Sequence, residues 1–232
     1  MALHPRLARR HLDENTRDVV KLALALIATM SALVLGLLIS SASSSYDRQL
    51  SQLKTVSANI ILLDRALALY GPEAKPVRDN LLSVVRDIHD RVWGKGAVEL
   101  DDLASLRTLE AIKANAGLLY ALVPKTDLQR SMLTSATQQG EALAQARLMI
   151  FESQGSSIAG PFLIILVFWI CVLFVGFGLL ARCNATVVSA LVLGGLSVAG
   201  AIFLILEMNT PYSGIMKISD EPLMRAMAVM DK

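Results

Sequence analysis

The chain has 232 residues, 54% of them hydrophobic and only 18% charged, with a mean hydropathy of +0.52. Soluble globular chains are about a quarter charged, and the deficit here is concentrated in three blocks, which excludes one large soluble core and indicates a membrane protein. The net charge of +2, with no Lys/Arg stripe interleaved with aromatics, excludes nucleic acid as a partner.

Residues 1–18 form a basic leader. Arg6, Arg9, Arg10, Arg17 and Lys21 precede the first apolar block. That block, residues 19–40, carries no charge from Leu22 to Ile39. About 20 apolar residues cross a bilayer core of about 30 Å, whereas a signal-peptide core is about 7–15 residues, so the block reads as an uncleaved anchor. Only Arg48 and Lys54 follow it closely, and this Lys/Arg bias predicts a cytoplasmic N-terminus.

Residues 41–157 are a different material, with 13 basic and 13 acidic side chains. Leu53, Val56, Ile60, Leu63, Leu67 and Tyr70 recur at alternating spacings of three and four. Met132, Ala136, Gln139, Leu143, Ala146 and Ile150 do the same. Such stripes bury one face of a helix. Gly71–Pro72 ends the first helix, and a second is expected over 75–92. Trp93–Gly94–Lys95–Gly96 reads as a loop, and Asp101 and Asp102 mark the next start. That third helix reaches about Leu122 before Pro124. A fourth begins near Thr126 and ends at Gln154–Gly155–Ser156–Ser157. An even number of helices returns the chain to the face it left, so the expected domain is an antiparallel four-helix bundle outside the bilayer.

Residues 158–181 and 185–206 are the second and third spans, joined by Arg182–Cys183–Asn184. The whole is thus an all-α integral membrane protein: three transmembrane helices, with the helical domain between the first and second. The implied location is the bacterial inner membrane, with 41–157 in the periplasm. The third span holds Thr186, Ser189, Ala190, Gly194, Gly195, Ser197, Ala199 and Gly200, with small-x-x-x-small pairs at 190/194 and 195/199. In lipid, helices associate where small residues let backbones approach. Thr186, Ser189, Gly194, Ser197, Gly200 and Glu207 are therefore the candidate pore or helix-interface residues. Arg182 and Asn184 are read as topology determinants or as an anion contact. Three spans leave little room for a path through one protomer, so a pore would need several subunits. Residues 207–232 form an amphipathic tail. Pro211 and Gly214 suit a turn, and Leu223–Met230 could lie on the membrane or dock on the bundle.

The familiar metalloprotease, redox, dinucleotide, P-loop and hydrolase-elbow patterns do not occur, so nothing favours an enzyme, and no cofactor or metal is expected. His89, beside Asp87 and Asp90, reads as an exposed helix residue rather than a metal ligand.

Several stretches together resemble the bacterial bestrophin-like family of membrane proteins. They are Arg182–Cys183–Asn184–Ala185–Thr186–Val187–Val188, Ala201–Ile202–Phe203–Leu204–Ile205–Leu206–Glu207–Met208, Pro211–Tyr212–Ser213–Gly214 and Ile218–Ser219. Asp18–Val19–Val20–Lys21–Leu22, Ile61–Leu62–Leu63–Asp64–Arg65 and Gly155–Ser156–Ser157–Ile158 match the same pattern. Members usually carry a further N-terminal span where this sequence has a short basic leader. The resemblance implies an oligomeric anion channel. No bestrophin pore motif carries over residue by residue. The alternative, from the bundle hung between two spans, is a non-enzymatic interaction, sensory or accessory subunit working with other membrane proteins.

Overall fold

The computed structural model describes residues 14–94, 106–154, 159–181 and 184–231. Among these the chain is all-helical. It comprises α1 (Glu14–Tyr70), a single 3-10 turn (Pro72–Ala74), α2 (Lys75–Trp93), α3 (Leu106–Tyr120), α4 (Asp127–Gln154), α5 (Ala159–Leu180), α6 (Ala185–Met208) and α7 (Glu221–Met230). The backbone divides into two compact units. One takes α1 up to Ser45 together with α5 and α6; the other takes α1 from Tyr46, then α2 to α4, and the segment from Thr210 onward.

The first unit holds three helices long and apolar enough to cross a membrane. Its internal core is small. Leu38, Ala42, Leu166 and Ile205 are buried, flanked by Val34, Leu35, Leu163, Ile170 and Met208. Only 6% of the apolar window of α6 is buried within the chain, and Ile164, Phe168, Leu193 and Leu196 are each more than 60% exposed. Water would not tolerate so much contiguous apolar surface; lipid requires it. Gly176 of α5 leaves room for the Leu24 side chain of α1, since a Cβ there would lie 2.5 Å from Leu24 Cδ2.

The second unit has a conventional core. Ile60, Leu63, Ala66, Leu67 and Tyr70 of α1 pack with Ala74, with Val77, Leu81 and Val85 of α2, and with Leu119 and Ala136 of α3 and α4. Most of the predicted α1 stripe is buried, and α1 stops where Gly71 adopts φ 122°, a conformation that suits glycine. At the start of α4, Thr126 Oγ1 accepts the Gln129 N–H at 3.1 Å. The Gln129 side chain accepts the Lys125 N–H and donates to the Tyr70 carbonyl, which ties the start of α4 to the end of α1. The third helix closes at Tyr120, two residues before the expected Leu122. Lys95, Gly96, Asp101 and Asp102 of the expected loop and helix start lie outside the described residues, as does Gly155–Ser156–Ser157.

Of the two places the sequence left open for the tail, the structure takes the docked one: α7 contributes Leu223, Ala226, Met227 and Met230 to this core. These residues lie at spacings of three, one and three, a single helical stripe. A ten-residue helix is too short to persist in water on its own, so α7 owes its helicity to this docking.

Leu67 is 0% exposed and Leu62 is 49% exposed. Leu67→Ala is expected to destabilise the protein by roughly 2–5 kcal/mol, and Leu62→Ala by less than about 0.5 kcal/mol. Thermal unfolding of the detergent-solubilised protein checks the contrast.

Candidate functional site

Two regions concentrate the polar chemistry: the outward face of α6 and the seat of α7 on α2. They lie in different units and are taken separately.

In α6 the backbone begins at Asn184, whose side-chain oxygen accepts the Val187 N–H at 2.8 Å. Asn184 is therefore an N-cap, meeting one of the donors a helix start leaves unpaired. Arg182, the other residue read as a topology determinant or anion contact, lies outside the described residues. Successive residues turn by about 100°, which places Thr186, Ser189, Ser197, Gly200 and Glu207 within roughly 80° of arc. Thr186, Ser189, Ser197 and Gly200 are exposed, and Glu207 is half-buried. Gly200 has nothing within 4 Å of a built Cβ. The Ser197 hydroxyl donates to the Leu193 carbonyl at 2.9 Å, as helical serines do in apolar surroundings.

Gly194 does not share that arc. It and Gly195 face Phe174 of α5, whose ring lies 3.8 Å from the Cβ each would carry. The two glycines thus lie on the part of α6 that meets Phe174 within the protomer, while Ala190 and Ala199, their small-x-x-x-small partners, are exposed. Sequence spacing alone could not separate these two uses, because small residues stand on both sides of the helix.

In the other unit, Arg78, Leu81, Val85, His89 and Trp93 share one face of α2, and α7 with its leading strap sits on it. The strap closes through the Ile218 N–H on the Pro211 carbonyl at 2.7 Å, with Gly214 at φ 82°. Ile218 is buried, and its carbonyl accepts the Trp93 Nε1–H at 2.9 Å. Trp93 stacks on His89 and takes Tyr212 edge-on, each ring pair 5.8 Å apart. Burial pushes the Tyr212 phenol pKa up.

His89 is the residue that sequence reasoning misplaced. It is not an exposed helix residue: its side chain is 17% exposed and bridges Asp90 and Asp220. Asp87, the neighbour that suggested a metal, instead pairs with Arg91 at 2.5 Å. Among the described residues no cluster of three His, Cys, Asp or Glu side chains could hold a metal ion. Burial by itself would lower the His89 pKa; the hydrogen bonds to Asp220 and then Asp90 outweigh it and raise it.

Arg78 forms a two-point fork on Asp64, Nε to Oδ1 at 2.7 Å and Nη2 to Oδ2 at 3.0 Å. Its Nη2 also reaches the Met230 carbonyl at 3.4 Å, and Arg86 Nη2 grips both Asp231 oxygens at 2.7 and 2.8 Å. Two cations thus sit at the C-terminal end of α7, where the helix dipole favours them. The Asp64 hydrogen bond raises the Arg78 pKa, desolvation opposing it. Asp64 was visible in the sequence only as part of the family resemblance; its partner lies 14 residues on, and no local spacing reveals the pair.

Three bilayer-length apolar helices and an all-helical polar unit define an α-helical membrane protein. The chain belongs to the bestrophin-like family, whose Bestrophin-like domain matches residues 1–223. No curated protein and no solved structure matches the chain significantly.

Asp64→Ala takes the forked carboxylate from the half-buried Arg78 guanidinium, and is expected to cost about 3 kcal/mol, the low end for a broken buried pair because Arg78 can turn toward water. Asn184→Ala is expected to cost about 1 kcal/mol. Thermal melts of both variants against wild type check the order.

Proposed function

We propose that the protein is a homo-oligomeric, non-enzymatic membrane protein of the bacterial inner membrane that conducts anions along a path built by several subunits. The observation carrying this reading is the outward face of α6. Thr186, Ser189, Ser197 and Gly200 present hydroxyls and bare backbone on a surface that the rest of the protomer leaves uncovered. Against lipid such a face has nothing to gain; against a second copy it allows close packing, and around an axis it offers hydroxyls to an ion. Membership of a family named for bestrophins supports the anion preference.

In this reading the N-terminus is cytoplasmic, by the basic cluster at Arg6, Arg9, Arg10, Arg17 and Lys21. Residues 41–157 are periplasmic, and the four helices α1 to α4 form an antiparallel arrangement there. Parity supports the topology. Because α7 packs with α2, an even number of crossings must separate α4 from the strap, and α5 and α6 supply two.

A second reading has its own observation. Tyr120, Val123 and Leu128, around the turn between α3 and α4, are 68%, 77% and 60% exposed. These residues favour a partner protein docking on the periplasmic unit, the arrangement of an accessory or sensory subunit.

The deciding experiment combines mass photometry of the purified protein with chloride flux from liposomes. A closed oligomer with flux above empty vesicles is expected, both lost in Ser197→Leu and Gly200→Leu. A monomer, or a folded oligomer with no flux, would overturn the channel reading and shift weight to the accessory role.

A further inference from the structure

We propose that the C-terminal strap and α7, residues 210–231, form a pH-responsive latch, docked more tightly on α2 when both ring nitrogens of His89 carry a proton. The proposal is independent of any conducting path, because it rests only on contacts inside the polar unit.

His89 Nε2 lies 3.0 Å from Asp220 Oδ2, and Nδ1 lies 3.1 Å from Asp90 Oδ1. Each ring nitrogen thus faces a carboxylate oxygen. A neutral imidazole has one N–H and one lone pair, so it satisfies one of these oxygens and opposes the other; the imidazolium donates to both. Trp93 fixes the ring by stacking on it, and donates its own N–H to the Ile218 carbonyl two residues before Asp220. The imidazole is therefore held where the strap enters α7.

Asp220 also explains why this contact matters to the helix. It occupies the N-cap position of α7, yet its side chain makes no capping bond. The carboxylate is turned to His89 instead, while the Ser219 hydroxyl accepts the Glu221 N–H at 3.2 Å. At the other end of α7 the grip is made by Arg78 and Arg86, neither of which is a histidine.

The other charged groups nearby are engaged elsewhere. Arg86, one turn before His89, holds Asp231, and Asp87 is held by Arg91. In the strap and α7, Glu221 is held by Arg225, and Lys217 is exposed. Tyr212 meets Trp93 edge-on, not the imidazole. Among the described residues, Asp90 and Asp220 are thus the ionisable groups within hydrogen-bond distance of the ring.

The direction follows from linkage. The raised His89 pKa means the contact is at full strength below the unfolded histidine value of about 6.5, and weakens as pH rises through the higher folded value. The neutral ring can still donate from Nε2 to Asp220, so α7 loosens rather than leaves. What protonation adds is the ion-pair part of the contact, which for a partly exposed pair is worth up to about fivefold in docking.

Hydrogen–deuterium exchange of the full-length protein in detergent tests this, from about pH 5.5 to about pH 8.5, across the histidine range, with intrinsic rates corrected. Protection of α7 is expected to fall by up to about fivefold relative to the Ile60–Tyr70 core as pH rises. His89→Gln, which keeps a single donor to Asp220, should flatten the profile, and so should Asp220→Asn if the first variant folds poorly. Equal pH profiles for α7 and the Ile60–Tyr70 core, or a wild-type profile retained in His89→Gln, would overturn the proposal.

Discussion

Hydrocarbon offers no hydrogen-bond partner to a peptide N–H or C=O, and this constraint shapes the first unit. Each span must satisfy its backbone internally, so each block folds as a helix, and its side chains are free to be apolar on every side. The hydrophobic effect that packs the second unit does not act between helices in lipid. That is why the first unit has only a small described core around Leu38, Ala42, Leu166 and Ile205, and why the Leu24 side chain settles over the bare Gly176.

The second unit runs on the opposite logic. Its apolar stripes face inward because water surrounds them, and its polar atoms must find partners where they are covered. Asp64 is the clearest case: a carboxylate with its side chain 6% exposed, held by a forked guanidinium. Such a pair adds little net stability over an apolar replacement, yet it admits one geometry only. By extending to the Met230 carbonyl, Arg78 makes that geometry include α7. The short helix is thus fixed at its C-terminal end by Arg78 and Arg86, at its start by the imidazole of His89, and along its length by Leu223, Met227 and Met230.

Glycine, serine and threonine in α6 carry two tasks that composition cannot distinguish. Gly194 and Gly195 lie against Phe174, whereas Thr186, Ser189, Ser197 and Gly200 look outward. A methyl group at Gly194 would touch the Phe174 ring at van der Waals distance; one at Gly200 would have no neighbouring element within 4 Å. The outward group is the part of the helix free to meet another molecule.

Much of this was legible in the sequence. Apolar run length sets the three spans because bilayer thickness is a fixed ruler. The alternation of three and four at Leu53–Tyr70 sets the buried face of α1 because helical pitch is fixed. Gly71–Pro72 and Pro124 mark helix ends because the backbone leaves them little choice. These are local constraints, and a local pattern records them. The tertiary structure alone decided which residues meet across the chain: Arg78 with Asp64, Arg86 with Asp231, and His89 with an aspartate 131 positions away. Sequence placed Leu223–Met230 equally well on a membrane or on the bundle, since an amphipathic stripe states that one face is covered and not by what. Only the shape of the seat on α2, with cations at one end and an imidazole at the other, made that choice.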